Sequence, residues 1–210
     1  MAKQAYVYSG TDWVPLASEV TNLSNYQLSN GVGLNKVIPT SVSVGSGSGS
    51  VDANGAVTFS GVSSLSLNGC FSSTYENYRI VVNLTSTDNN EFRWRGRTSG
   101  SDNTNANYVF QILEAYVSSV GASRTSGATY GYAGYLDASG TASYILDFFS
   151  PQTTRATGMS STVLRNYAAS SPVIMFINNG FTSTTSFDSV TLYPGSGTIT
   201  GTVRVYGYKN

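Results

Sequence analysis

Residues 78–84 read Tyr78-Arg79-Ile80-Val81-Val82-Asn83-Leu84, and every even position is apolar. Side chains of an extended strand alternate between faces, so Tyr78, Ile80, Val82 and Leu84 share one side. Moving outward, Glu91–Arg97, Ala142–Phe149, Val173–Asn178, Ser189–Tyr193 and Thr198–Tyr208 also read as strands. From Val57 onward, turns and strands alternate at the spacing of an all-β sandwich or barrel. Tyr108–Val120 fits two periods. Val109, Ile112, Leu113, Tyr116, Val117 and Val120 also form a helical stripe, but the β-branched content and the context favour strands. No repeat of fixed period points to a propeller or solenoid. The expected fold is an antiparallel β-sandwich.

Upstream of Val57 the pattern thins. Tyr6-Val7-Tyr8 and Trp13-Val14-Pro15-Leu16 flank Ser9-Gly10-Thr11-Asp12, which carries turn chemistry, so residues 1–20 read as a short β-hairpin. Pro15 has no amide donor and belongs on an edge. An isolated hairpin is marginal in water, so one this aromatic is expected to dock onto something. Residues 21–38 are sparsely apolar and read as a stalk. Gly45–Ser50 alternates Gly and Ser like a linker. Val42–Val44 before it, Val57–Phe59 after it and the Asn54-Gly55 turn signal favour a long hairpin loop. The expected organisation is an arm and stalk over 1–35, a connecting hairpin or linker over 36–56, and the sandwich over 57–210.

The chain has 210 residues, of which only 10% are charged, against roughly 25% in an average soluble domain. Its 15 Tyr and 9 Phe supply a core that disordered chains lack. Low charge with abundant Tyr leaves apolar surface for a cyclic assembly to bury, and a homotrimer is expected. Eleven basic and eleven acidic residues cancel, so no basic excess recommends nucleic acid as a partner. The longest apolar run, Val173–Ile177, is far too short to insert in a membrane. The opening Met1-Ala-Lys-Gln-Ala-Tyr-Val-Tyr8 has no secretory apolar stretch, so synthesis without a secretion address is expected.

Catalytic chemistry is thinly supplied. With no histidine, the usual general base and the usual metal ligand are both missing. Cys70 stands alone, which rules out an internal disulfide and a Cys-rich metal site. The expectation is no catalytic residue, no metal and no cofactor, with calcium the only ion that carboxylate and carbonyl oxygens could hold. Gly195-Ser-Gly197-Thr-Ile-Thr-Gly201 lacks dinucleotide-fingerprint spacing and reads as a tight hairpin between the last two strands. One enzymatic alternative stays open, a glycan depolymerase with a carboxylate pair.

Two constellations suit binding. Arg93, Arg95 and Arg97 alternate with Trp94 and Gly96, which aligns three guanidinium groups on one face. Such a stripe either grips anionic sugars or carboxylates, or is a solvated or intersubunit stripe balanced by Asp88, Glu91 and Asp102. The balance falls on the structural reading, because exposed charge is usually only a solvated face. Tyr130, Tyr132 and Tyr135 lie among glycines, where they either form a surface recognition loop or pack a turn.

Three stretches carry a resemblance: Gln4-Ala-Tyr-Val-Tyr-Ser-Gly-Thr-Asp-Trp-Val-Pro-Leu-Ala-Ser18, then Val57 to Val82 with Phe92-Arg-Trp-Arg-Gly-Arg97, and Phe187 to Tyr208. They resemble small virion proteins of tailed bacteriophages, the minor tail, fibre and capsid-decorating proteins. The resemblance implies a jelly-roll-like sandwich that trimerises and projects from the virion surface, after synthesis in the host bacterial cytoplasm. The first stretch then docks on capsid or tail proteins, with Tyr6, Tyr8, Trp13 and Leu16 as anchors. The loops face solvent or bacterial surface glycans. The near absence of a shaft favours a compact spike, head fibre or short tail appendage. A free carbohydrate-binding module outside any virus is the remaining alternative.

Overall fold

The computed structural model describes residues 6–8, 11, 13–15, 33–115, 119–138, 140–167 and 171–209. The chain divides into two compact units, 1–33 and 34–210. In the first, β1 (Tyr6–Tyr8) and β2 (Trp13–Pro15) pair antiparallel as a hairpin, with Val7 opposite Val14. Leu16 lies outside the described residues, as does most of the expected stalk.

The second unit is an all-β sandwich of two antiparallel sheets. Its strands in chain order are β3 (Leu34–Val37), β4 (Ser41–Val44), β5 (Ser48–Val51), β6 (Ala56–Val62), β7 (Leu65–Asn68), β8 (Asn77–Ser86), β9 (Asn90–Thr98), β10 (Ser101–Asp102), β11 (Tyr108–Ala115), β12 (Val120–Ala128), β13 (Gly131–Leu136), β14 (Thr141–Phe149), β15 (Thr157–Tyr167), β16 (Ser171–Phe181), β17 (Ser189–Pro194) and β18 (Ile199–Tyr208). The ten-stranded sheet runs β12-β11-β16-β15-β14-β8-β18-β6-β5. Its tenth strand, β3, pairs the far half of β18 beyond β6. The six-stranded sheet runs β10-β9-β17-β7-β4, with β13 also pairing β9.

Alternation builds the core. Tyr78, Ile80, Val82 and Leu84 of β8 and Tyr144, Leu146 and Phe148 of β14 point inward from the large sheet. They meet Phe92 and Trp94 of β9, Leu65 and Leu67 of β7, and Val190 and Leu192 of β17 from the small one. Trp94 packs edge-on against Tyr108 and Phe148, with ring centroids 5.3 and 5.1 Å apart. Two core tyrosines keep their hydroxyls bonded: Tyr78 donates to the Ser72 carbonyl at 2.5 Å and Tyr144 to the Tyr135 carbonyl at 2.7 Å. Tyr108–Ala115 is a strand paired on both sides, which settles that ambiguous run where it is described.

Two turn readings need correction. Gly195–Gly201 is not a hairpin between partners: β17 lies in the small sheet and β18 in the large one, so 195–198 crosses between sheets. The β8–β9 connection crosses beside it, and the two are strapped together. Thr87 N donates to the Thr198 carbonyl at 3.0 Å, and Asn90 Nδ2 to the Ser196 carbonyl at 2.8 Å. Likewise Val57–Phe59 pairs with Gly49–Val51, not with Val42–Val44, because β4 joins the small sheet and β5 the large one. The Asn54-Gly55 signal does mark the β5–β6 turn. There the Asp52 carboxylate accepts from the amides of Asn54 and Ala56, both at 2.8 Å, and Gly55 adopts φ 74°. The segment 36–56, read as a connector, thus contributes strands to both sheets, and the compact unit begins at Leu34.

Candidate functional site

The outer face of the six-stranded sheet gathers the polar groups singled out by the sequence. Strand β9 buries Phe92, Trp94 and Gly96 on its inner side, so Arg93, Arg95 and Arg97 emerge together on the other. Across the ladder Tyr193 faces Arg93, Thr191 faces Arg95 and Ser189 faces Arg97. The three arginines have different surroundings.

Arg97 is a structural hub. Its Nη1 donates to Asp102 Oδ1 at 2.8 Å, Ser66 Oγ at 2.6 Å and Thr191 Oγ1 at 2.9 Å, and Nη2 donates to the Gly100 carbonyl. Thr191 in turn donates to Asp102 at 2.6 Å. With only 13% of its side chain exposed, Arg97 seals the Ser66 and Thr191 hydroxyls beneath it.

Arg93 is clamped. Its Nε donates to Glu91 Oε2 at 2.7 Å and its guanidinium lies 4.1 Å from the centre of the Tyr130 ring. Gly195 leaves the gap on its remaining flank, since a Cβ there would sit 3.2 Å from the guanidinium carbon. Tyr130 leans on Phe110, which stacks on Tyr132 with centroids 5.5 Å apart. Burial works against the charged form of Arg93, yet Glu91 outweighs it and holds the pKa above the ordinary value.

Arg95 is the least committed. Its Nε donates to the Thr129 carbonyl at 3.0 Å and its guanidinium sits 5.0 Å from the centre of the Tyr193 ring. Burial pushes the Tyr193 phenol up to about 12, although Arg95 and Arg93 pull it down. Its hydroxyl is buried without a hydrogen-bond partner among the described residues.

The expected balancing acids therefore divide. Glu91 and Asp102 pair with Arg93 and Arg97, whereas Asp88 accepts from Ser196 at 3.0 Å on the strapped crossover. The three tyrosines also part company. Tyr132 and Tyr135 lie on β13 rather than on a loop, and Tyr130 immediately precedes it. Tyr132 is buried, at 4% exposure. It stays opposite Arg93 and is covered by the stacked Phe110 ring, while the β-bulge that follows it, between Tyr132 and Gly134, keeps Tyr135 opposite Glu91. Tyr130 and Tyr135 remain half-buried.

Sequence reasoning missed Tyr193, Thr129 and Ser66, which reach the arginines only through pairing between distant strands. The Ser189–Tyr193 alternation put Tyr193 on a strand but carried no signal of its neighbour. Cys70 is buried and its thiol is pushed up by that burial, away from nucleophile chemistry. Among the described residues no group of three or more Cys, Asp or Glu is placed to hold a metal ion. No family model, curated protein or solved structure matches this chain.

Proposed function

We propose that this protein is a structural component of a bacteriophage virion: a short trimeric fibre, spike or decoration protein of jelly-roll type. Its N-terminal hairpin attaches it to capsid or tail, and its sandwich is displayed outward for adhesion rather than catalysis. One observation carries the assembly part of this reading. On the outer face of the ten-stranded sheet, Leu113, Phe176, Thr162, Ile145 and Val81 are successive cross-strand neighbours. With Val120 and Ile174 they form an apolar field whose large side chains, Val81 aside, are 40–71% exposed. Five such half-bare side chains offer on the order of 400 Å², within the range of the largest patches that monomers leave uncovered. A shallow depression beside Leu113, Ala122, Arg124 and Phe176 gives this field relief for a neighbouring copy to fill.

The arm supports the same reading through its composition: a hairpin of two three-residue strands with Tyr6, Tyr8 and Trp13 is too small to be stable alone and suits docking. Two measurements test the proposal. Light scattering on the purified chain should give a trimer, and Phe176→Asp should give monomers. Deleting residues 1–33 should abolish incorporation into virions while leaving the sandwich folded. A wild-type monomer at micromolar concentration refutes the assembly, and a truncated chain that still decorates particles refutes the attachment.

A further inference from the structure

We propose that the Arg95–Tyr193 shelf on the outer face of the six-stranded sheet binds the carboxylate of an acidic sugar residue in an anionic polysaccharide. The inference deepens the adhesive role above by naming the ligand class, and it rests on that role.

The three-arginine row carries an uneven charge. Arg93 is matched by Glu91 and Arg97 by Asp102, so three cations face two anions and the excess sits on Arg95. Arg95 spends one donor, Nε, on the Thr129 carbonyl, and its two terminal NH₂ groups have no protein partner among the described residues. That single bond and the Tyr193 ring hold the guanidinium in place, so the fork is presented with little ordering left to do. A planar fork with both ends free matches a carboxylate through two parallel hydrogen bonds.

The surroundings select a sugar over a polypeptide. Protein partners anchor on buried aromatic or aliphatic hot spots. Among the described residues, none of the large exposed apolar side chains lies on the six-stranded sheet. This face instead exposes Thr129 beside Arg95, with Ser41 and Ser43 on β4, a surface of hydroxyls suited to a polyhydroxylated ligand. The neighbouring arginines are already neutralised, so a long polyanion gains little beyond the single site. Binding of one carboxylate is expected to be weak per site and to be multiplied by the copies in an oligomer.

The test uses the full chain and calorimetric titration with oligogalacturonate, oligomannuronate and hyaluronan fragments, each against its methyl-esterified, uncharged form. At least one acid form should bind with its ester tenfold weaker or worse. Arg95→Gln should lose at least tenfold in affinity with its urea midpoint unchanged, and Arg95→Lys, which keeps charge but not the fork, should fall between. Binding to none of the acids, equal binding to an ester, or full affinity in Arg95→Gln overturns the proposal. So does an Arg95→Gln variant that dissociates the oligomer, loses stability or fails to fold, because Arg95 then serves a second copy or the fold. Virion incorporation is read separately: failure to bind sugars with incorporation intact sinks this inference alone, and the reverse sinks only the particle attachment.

Discussion

Asn179 is the polar residue on which the position of β13 depends, and its removal has a predictable cost. The residue sits on β16 in the large sheet with its amide turned into the core, 8% exposed. Its Oδ1 accepts from the Tyr132 amide at 2.8 Å and, at a long 3.4 Å, from Trp94 Nε1. Its Nδ2 donates to the Tyr132 carbonyl at 2.9 Å. Tyr132 stands at the bulge where the β13–β9 register shifts, so its backbone turns to the opposite sheet for partners. Ser161 does the same for the next residue, donating to the Ala133 carbonyl at 2.7 Å. Asn179→Ala removes the bonds to the Tyr132 N–H and C=O in a buried setting, at about 1–3 kcal/mol each, so a loss of about 4 kcal/mol is expected. For a domain of this size that lowers the melting temperature by roughly 8–16 °C. Urea unfolding followed by Trp94 fluorescence measures it, with Asn178→Ala, an exposed neighbour, expected within about 0.5 kcal/mol of wild type. A loss under about 1 kcal/mol for Asn179→Ala would refute the assignment of the bulge to this amide. Because Tyr130 precedes the bulge, the same variant should also loosen the Arg93–Tyr130 contact.

Other expectations follow from the same geometry. Asp102→Ala strips Arg97 of its only carboxylate partner among the described residues, in a largely buried setting, and should cost about 3 kcal/mol in chemical denaturation. At Gly131 a Cβ would fall inside the Trp94 indole, so Gly131→Ala should destabilise by about 1–3 kcal/mol through overpacking, measurable in the same unfolding assay. For Asp147, burial raises the pKa, but hydrogen bonds from Arg79 at 2.8 Å and Tyr208 at 2.7 Å outweigh it and hold the carboxyl below its usual value. Its contribution to stability is therefore present above the unfolded-state pKa near 4 and is lost as pH falls through the depressed folded value. The gap in melting temperature between wild type and Asp147→Asn should be constant from pH 7 to about 5 and should close below about 4.

The sequence alone determined the strands and their inward faces, because alternation is a local property. Tyr78–Leu84, Glu91–Arg97, Ala142–Phe149, Val173–Asn178, Ser189–Tyr193 and Thr198–Tyr208 each fall within or nearly within an observed strand. The shared face of Arg93, Arg95 and Arg97 followed from the same period of two. Which strand pairs with which is a long-range matter that no local pattern encodes. Gly45–Ser50 and Gly195–Gly201 have hairpin composition, yet a crossover between sheets needs the same small, turn-forming residues. The bulge in β13 was hidden for a related reason: it is one extra residue, and only the partner strand reveals it. The division of the arginine row into hub, clamp and shelf was likewise decided in three dimensions. Ser66, Thr191 and Tyr193 lie 31, 94 and 98 residues (97 − 66, 191 − 97, 193 − 95) from the arginines they meet. Strand alternation aims a side chain at a face, and only the register of neighbouring strands decides what it finds there.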